Sequence, residues 1–187
     1  MELKYSSYNK SNHKKDLKNI YINSFIKAER FPFFLLKNCS KGKNVVFNEV
    51  SDEGNLVGMI YIINCSNFTY LMYLAIDEKY RGNGYGSKIL KDIISQNENV
   101  VLCIEKVDMD TYGEKQRRKN FYIRNGFYET NNFICDGGIE YEILCTNKNL
   151  AITEKMMKER YEKMCNCRVT KLLISKMFNV NNIEFLD

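Results

Sequence analysis

Three glycines alternate along a short polar stretch of the chain, at positions 82, 84 and 86. A strand-like apolar run ends before them, and an amphipathic, helix-like segment follows them. Glycine lets a backbone approach a ligand closely and adopt angles that other residues avoid. The first amides of a helix have no partner within the helix, and the helix dipole favours an anion beside them. The sequence therefore predicts that residues 81–86 cradle a pyrophosphate, although such a loop can also be a plain connector.

Two common phosphate-binding patterns do not fit this loop. The dinucleotide fingerprint needs glycines spaced G-x-G-x-x-G early in a parallel βαβ unit. The spacing here is G-x-G-x-G, and it follows three antiparallel-looking strands. A P-loop needs Gly-Lys followed by Ser or Thr, whereas Gly86 is followed by Ser87 and Lys88. Both classes of site are therefore disfavoured.

The elements that must position the loop alternate between strands and helices. A first helix, which Ser11 or Asn12 could cap, precedes a three-strand antiparallel meander with a hairpin turn at 52–55. A helix follows the glycine loop, and a third helix ends at Asn125-Gly126 because glycine takes the left-handed conformation found just past a helix end. The order α, βββ, α, β, α, ββ predicts an α/β fold, a mixed sheet with helices on its faces. Strands are expected at 44–50, 56–63, 69–76, 100–105, 127–130 and 139–145.

Composition supports a folded domain. The 187 residues are 44% hydrophobic and 27% charged, and the net charge is +5. The charge is uneven, because residues 1–43 hold ten Lys and Arg against three Asp and Glu. A basic segment could attract phosphates or nucleic acid, but the lysines are scattered along it, which favours a solvated face.

Cysteine usage and hydropathy indicate the compartment. Seven cysteines are an odd number for a disulfide framework, and His13 is the single histidine. The spacing of Cys165 and Cys167 is too short for most zinc sites. We therefore expect free thiols and no metal. No apolar run reaches the roughly 20 residues that span a bilayer, and the first residues lack the apolar stretch of a secretory signal, so we expect a cytoplasmic protein that does not bind a membrane.

Residues 73–86 resemble the acyl-CoA-binding motif of the GNAT N-acetyltransferases. In that family the loop follows the pattern Gln/Arg-x-x-Gly-x-Gly/Ala. Residues 81–86 match it, with Arg81, Gly84 and Gly86 at the three specified positions. A second family motif is a helix with a tyrosine four residues before Gly-Phe. Tyr122 and the pair 126–127 match this motif at a fitting distance along the chain.

The resemblance covers roughly residues 1–147. It implies a GNAT acyl-CoA N-acyltransferase domain over 1–148, with a C-terminal helical extension over 149–187. Acetyl-CoA would be the co-substrate, its pantetheine arm held by the backbone of strand 69–76 and its thioester carbonyl polarised by an amide near Leu74. The cofactor-binding residues expected on this basis are Leu74, Ala75, Ile76, Arg81, Gly82, Asn83, Gly84, Tyr85, Gly86 and Ser87.

The resemblance also implies catalytic roles. Tyr122 would protonate the departing thiolate, since a phenol with a pKa near 10 and a thiol with a pKa near 8.5 are close enough for proton transfer; the alternative is a core aromatic. Glu105 would end the strand beside the thioester and take the proton of the amine, with Glu49 and Asp108 as weaker candidates. Many members have an asparagine before the tyrosine-bearing helix, and residues 110–115 contain none.

The acceptor side is usually built from the first helices and last strands of such proteins. Glu29 could pair with a cationic acceptor, and Phe31 and Phe33 could form an apolar wall; the alternative is a hydrophobic turn. We expect an N-acetyltransferase that moves an acetyl group to a primary amine of a small molecule or peptide by direct attack. The alternative is a non-catalytic CoA-sensing or nucleic-acid-binding module that uses the basic N-terminal segment.

Apolar residues recur at helical spacing in residues 149–187, outside the resemblance. An amphipathic stripe must be covered by another surface, so we expect this segment to pack on the domain or on a second copy of the chain in a homodimer. A structural role is favoured over a catalytic one. The docking residues expected are Met156, Met157, Met164, Leu172 and Leu173.

Overall fold

An eight-stranded mixed sheet forms the centre of the protein, in the order β1-β2-β3-β4-β5-β7-β6-β8. The structure, a computed structural model, describes residues 1–107, 112–178 and 183–186. Every neighbouring pair of strands is antiparallel except β4 and β5, which run parallel. The strands are β1 (Leu3–Ser7), β2 (Val45–Asp52), β3 (Asn55–Asn64), β4 (Thr69–Ile76), β5 (Val100–Glu105), β6 (Tyr128–Asp136), β7 (Ile139–Cys145) and β8 (Glu184–Leu186).

Helices cover both faces of this sheet. Apolar residues of α1, α2, α5 and α6 join one buried cluster with one face of the strands. Those of α3 and α4 join a second cluster on the other face. The layers are therefore helix, sheet and helix, and we call the two faces the α1 face and the α3 face. The helices are α1 (Lys14–Ser24), α2 (Phe33–Cys39), α3 (Tyr85–Gln96), α4 (Tyr112–Arg124), α5 (Glu154–Met164) and α6 (Arg168–Phe178).

The predicted α/β order is confirmed, and three elements are added to it. Strands β1 and β8 lie near the two ends of the chain, and the apolar piece after Pro32 forms α2. The predicted hairpin between β2 and β3 is present, with positive φ at Glu53 and Gly54. The predicted cap of α1 is wrong: the helix begins at Lys14, and the Ser11 hydroxyl instead donates to Glu49.

Strands β4 and β5 separate soon after they start. They pair only through Thr69 with Val100 and Tyr70 with Val101. Beyond these pairs β4 stays on β3, whereas β5 pairs with β7 along Val101–Glu105. A V-shaped opening therefore passes through the sheet between the carboxyl halves of β4 and β5.

A β-bulge lies in β4 at the start of this opening. Tyr61 faces Tyr73 across the β3–β4 ladder, but the next residue, Ile62, faces Leu71. Met72 is the extra residue, and both Met72 and Tyr73 pack with the cluster on the α1 face. A bulge bends its strand and re-aims its side chains, so it places a tyrosine toward the α1 face at the opening.

The C-terminal segment packs on the α1 face. Met157 and Met164 of α5 are 0% exposed, and Ile174 of α6 is 1% exposed. Strand β8 extends the sheet by pairing with β6. The expectation for Leu172 is wrong, because it is 69% exposed: α6 turns this side to solvent and covers the domain with Ile174.

Candidate active site

The opening between β4 and β5 contains a cleft with a volume of about 460 Å³. Because it passes through the sheet, both helix layers contribute to its walls. From the α3 face the lining residues include Gly86, Arg118, Phe121 and Tyr122. From the α1 face they include Glu29, Phe31, Tyr73, Arg160 and Tyr161.

The glycine loop lies at one end of the cleft and leads into α3. Gly82 and Gly84 both have a φ of +81°, which other residues rarely adopt. Gly84 is the N-cap of α3, and the amide of Lys88 makes the bond to the Gly84 carbonyl, 3.0 Å long. The amides of residues 85–87 therefore precede the first helical bond and have no partner within the helix. This geometry suits an anion, as the predicted pyrophosphate cradle requires.

Side chains of the loop bond back to the protein. Arg81 donates from Nε to the carbonyl of Ile76 at 3.1 Å and from Nη2 to the Ser24 hydroxyl at 3.3 Å. The Tyr85 hydroxyl donates to Asp52 at 2.8 Å, and Asn83 donates to the carbonyl of Tyr80 at 3.4 Å. The loop is thereby fixed to the end of β4 and to its surroundings.

The last loop residues contact α3 and α4. A Cβ on Gly86 would lie 3.0 Å from the Phe121 ring, a tight contact that would require the ring to move by a few tenths of an ångström. Ser87 lines a separate cavity of about 510 Å³ between α3 and α4. Three cations, Lys88, Lys91 and Arg124, line the same cavity.

Within the described parts of the chain, the edge of β4 that faces the cleft has no strand partner after Tyr70. Leu74 and Ile76 pack toward the α3 face, and Ala75 packs toward the α1 face. In a strand, N–H and C=O groups alternate along each edge and need partners. A ligand with amide groups, such as the pantetheine arm of CoA, can supply them by lying along this edge. The unpaired edge and the open N-terminus of α3 therefore fit CoA.

Tyr122 lies on the last turn of α4, on the wall of the cleft. Its ring packs edge-on against Phe121 and Phe127, at centroid distances of 5.2 and 5.7 Å. The helix ends at Arg124, and Gly126 has a φ of +92° as the sequence predicts. Burial raises the pKa of Tyr122 to about 12, and the nearby Arg118 opposes that rise. The phenol is therefore protonated at neutral pH.

Two carboxylates at or near the cleft are held by arginines that line it. Glu105 accepts from Arg118 at 3.1 Å. Asp136 accepts from both Arg160 and the Tyr161 hydroxyl, the latter at 2.5 Å. The side chains of Arg160 and Asp136 are 5% and 10% exposed, whereas those of Arg118 and Glu105 are 35% and 16% exposed. Each of these negative charges is thus compensated by an arginine that lines the cleft.

Glu29 has a different environment. Among the described residues, its carboxylate makes no ion pair within 4.0 Å, although it also lines the cleft. Burial raises the pKa of Glu29, and the negative charge of Glu105 raises it further, while Arg118 and Lys115 oppose the shift. The carboxylate therefore takes up a proton at a higher pH than an ordinary glutamate does.

Tyr73 fixes the turn that carries Glu29. Its hydroxyl donates to the Glu29 carbonyl at 2.8 Å and accepts from the Phe31 amide at 3.3 Å. The Phe31 carbonyl in turn accepts from the Tyr21 hydroxyl at 3.0 Å. The turn between α1 and α2 is thus attached to β4 at the bulge, directly beside the cleft.

The remaining predicted residues lie elsewhere. Phe33 packs with Tyr8 and Phe47 in the core and does not line the cleft. Glu49 bonds to Ser11 and His13 and does not line it either. Asp108 and the first two residues of 110–115, the region that lacks the asparagine, lie outside the described residues.

Four cleft residues do not stand out in the sequence. Arg118 lies four residues before Tyr122, and this spacing places the two on one face of a helix, so it could have been found. The pattern around Tyr73 indicates a strand and nothing more. The C-terminal pair Arg160 and Tyr161 carries no signal, because tertiary packing alone brings α5 to the cleft.

The described ranges contain neither a helix that could cross a membrane nor a group of three His, Cys, Asp or Glu side chains arranged for a metal. All seven cysteines are free thiols.

Residues 44–129 match the family described as "Acetyltransferase (GNAT) domain". This segment holds both the unpaired edge of β4 and Tyr122. The matched segment is thus similar to a GNAT acetyltransferase domain, and the fold of the chain agrees with that similarity. No curated protein sequence matches the chain.

Solved structures share the fold at low sequence identity. A structure from Bacteroides thetaiotaomicron assigned to the GNAT family is 19% identical, with a TM-score of 0.64, covering 94% of this chain and 97% of that one. The ribosomal-protein-S18-alanine N-acetyltransferase of Escherichia coli is 16% identical, with a TM-score of 0.56 and coverage of 81% and 100%. An aminoglycoside 6′-N-acetyltransferase complexed with coenzyme A is 14% identical, with a TM-score of 0.56 and coverage of 82% and 100%. The first of these similarities extends into residues 149–187, because it covers 94% of the chain.

Proposed function

We propose that the protein transfers the acetyl group of acetyl-CoA to a primary amine by direct attack in a ternary complex. One observation carries the proposal: the unpaired edge of β4 leads directly to the open N-terminus of α3, with Tyr122 on the wall between them. The edge suits the pantetheine arm, and the amides of residues 85–87 suit the pyrophosphate. The coenzyme A in the complex of the aminoglycoside acetyltransferase supports this choice of donor.

The residues of the cleft divide the reaction between them. The backbone of 74–76 orients the thioester, and an amide near Leu74 stabilises the oxyanion that forms on its carbonyl. Tyr122 gives its proton to the leaving sulfur. Because the pKa of Tyr122 is raised by burial and lowered by Arg118, the arginine reduces the cost of this proton transfer. The sequence predicts Glu105, at the end of β5, as the base, but its carboxylate is already paired with Arg118.

The cleft does not favour a covalent acyl-enzyme intermediate. Cys103 is the cysteine that lines it. Burial raises the pKa of the Cys103 thiol, while the nearby Arg160 opposes the shift. The attacking form of a cysteine is the thiolate, which a raised pKa suppresses, so direct attack by the amine is the simpler route.

The acceptor enters from the α1 face in this proposal. Glu29 supplies negative charge there, and Phe31 and Tyr161 supply aromatic walls. Two of the similar structures are acetyltransferases of a ribosomal-protein alanine and of an aminoglycoside, so the acceptor stays open between small and peptide amines. The direct test is a panel of primary amines screened for release of free CoA thiol, with the acetylated product confirmed by mass.

Turnover with an amine distinguishes this function from its alternative. A non-catalytic CoA-sensing or nucleic-acid-binding module would shift DNA or RNA in a salt-sensitive manner and would release no thiol with any amine in the panel.

Acetyl-CoA is expected to stabilise the protein through the glycine loop. At a hundredfold excess over its dissociation constant, a ligand adds about 2.7 kcal/mol to the free energy of unfolding, which thermal denaturation detects. Gly84→Asp should abolish the shift, because it places a carboxylate beside the free amides.

Gly138→Asp is the matched control. Both glycines have a φ of +81°, and a Cβ added to either would meet no atom within 4 Å, so the two variants carry similar backbone strain. Gly138 lies in the turn between β6 and β7, and its variant should keep the full shift. Equal shifts for both variants would remove the loop from the binding site.

A further inference from the structure

We propose that Glu29, in the turn between α1 and α2, is the base that deprotonates the acceptor amine. Glu105, which is paired with Arg118, then has an electrostatic role and does not accept the proton. This inference rests on the proposed acetyl transfer and assigns a further catalytic residue to it. It is drawn from the placement of Glu29 on the cleft wall and from the different partners of Glu29 and Glu105.

The first argument is position. The Tyr73 hydroxyl bonds to the backbone on both sides of Arg30, at 2.8 Å to the Glu29 carbonyl and 3.3 Å to the Phe31 amide. Tyr73 follows the bulge at Met72 and precedes Leu74, near whose amide the thioester carbonyl is proposed to lie. The turn that carries Glu29 is therefore held over the reacting end of β4, on the face from which the acceptor enters.

The second argument is which carboxylate is available to bind the acceptor amine. Glu105 is bonded to Arg118 at 3.1 Å, and Arg118 also lies 3.8 Å from Glu114. A carboxylate that already accepts from a guanidinium has its charge compensated and part of its hydrogen-bonding capacity occupied. Within the described residues, Glu29 has no such ion-pair partner. It can therefore receive an ammonium group as its counter-ion and then accept one of its protons.

The third argument is the protonation of Glu29 and of the groups around it. The raised pKa of Glu29, caused first by burial, makes it a stronger base than an ordinary glutamate. Its negative charge in turn helps to keep Tyr122 protonated. The ionised base and the protonated acid thus coexist, as the reaction requires. The titratable and charged groups that face Glu29 are Tyr73 of β4, Glu105 of β5, Lys115, Arg118 and Tyr122 of α4, and Tyr141 of β7.

The proton balance closes with these two residues. One proton passes from the ammonium to the Glu29 carboxylate, and the neutral amine forms a C–N bond to the thioester carbon. The C–S bond breaks as Tyr122 gives its proton to sulfur. The nitrogen then returns a second proton to the Tyr122 oxygen and keeps its third as the amide hydrogen. Glu29 loses its proton to solvent, so the reaction releases one proton in total.

The test is the pH profile of kcat/KM for the amine in the Glu29→Gln and Glu105→Gln variants. In the wild type, activity should fall as the pH drops through the pKa of Glu29, because a protonated carboxyl accepts no proton. Glu29→Gln should lose about 10²–10⁴-fold at pH 7. Its activity should rise about tenfold per pH unit up to the pKa of the free amine, near 10, because only the amine already deprotonated in solution then reacts. Glu105→Gln should keep the wild-type profile at a lower plateau.

Two further measurements separate catalysis from folding. Glu98→Gln, an exposed change in the loop between α3 and β5, should behave as wild type. Added formate should restore activity to Glu29→Ala, by replacing the missing carboxylate, and should not restore it to Tyr122→Phe.

Three outcomes would contradict either the inference about Glu29 or the proposed function. If kcat/KM rose steeply with pH for Glu105→Gln but followed the wild-type pH dependence for Glu29→Gln, the inference would be overturned and Glu105 would be the base. A raised KM with an unchanged profile for Glu29→Gln would also overturn it, leaving Glu29 a binding residue. No turnover by the wild type with any amine would instead overturn the proposed function.

Discussion

Tyr122→Phe should lower kcat about 10²–10⁴-fold, the usual contribution of a positioned acid, while the affinity for acetyl-CoA stays near that of the wild type. The change removes one hydroxyl and keeps the ring, which packs against Phe121 and Phe127. Acetyl-CoA binding should therefore survive, because its proposed contacts lie on β4 and the glycine loop. Steady-state kinetics and thermal shifts with acetyl-CoA measure the two quantities separately.

Tyr128→Phe makes the same chemical change outside the cleft. Tyr128 is 41% exposed on β6, and its variant should keep the wild-type kcat. If Tyr122→Phe also kept it, Tyr122 would be a packing residue and the leaving thiolate would take its proton from elsewhere.

Deleting residues 151–187 should make the protein aggregate or melt at a much lower temperature. The deletion removes Met157, Met164 and Ile174, each at most 1% exposed, from the α1 face. A fully buried side chain of this size contributes about 1.5–3 kcal/mol, and total stability is about 5–15 kcal/mol. It also removes Arg160, the partner of Asp136. Thermal denaturation and size-exclusion chromatography measure the result.

Single substitutions in the segment provide controls. Met157→Ala should cost about 2–5 kcal/mol, the usual range for a buried methionine. Leu172→Ser and Val169→Ser should cost little, because these side chains are 69% and 64% exposed. A truncated protein that stayed soluble, equally stable and of unchanged size would show instead that the segment is a dispensable tail.

Local patterns in the sequence predict the inner part of the fold well. The bounds of β4 and β5 coincide with the predicted strands, since both are apolar runs with clear ends. Gly126 ends its helix as predicted, because its φ of +92° suits glycine. The outer strands β1 and β8 escape prediction, since they are only five and three residues long and depend on partners far away in the chain.

The candidate site divides in the same way. The glycine loop and Tyr122 carry local signals, and the structure brings both to one cleft. What the sequence does not reveal is which charges compensate each other there. That Arg118 holds Glu105 and that α5 places Arg160 beside Asp136 follow from packing between distant segments. Phe33 is an opposite case. It is predicted to belong to the site, but α2 places it against Tyr8 and Phe47 in the core.

Strand β4 serves the two halves of the cleft at once. Its free edge faces the proposed donor, and the Tyr73 hydroxyl holds the turn that carries Glu29. Any shift of β4 that one ligand causes therefore also affects the half of the cleft where the other ligand is proposed to bind. Such coupling is reciprocal: the factor by which acetyl-CoA changes the affinity for the amine equals the factor by which the amine changes the affinity for acetyl-CoA. One shared strand thus gives the two proposed substrates a physical connection through the backbone.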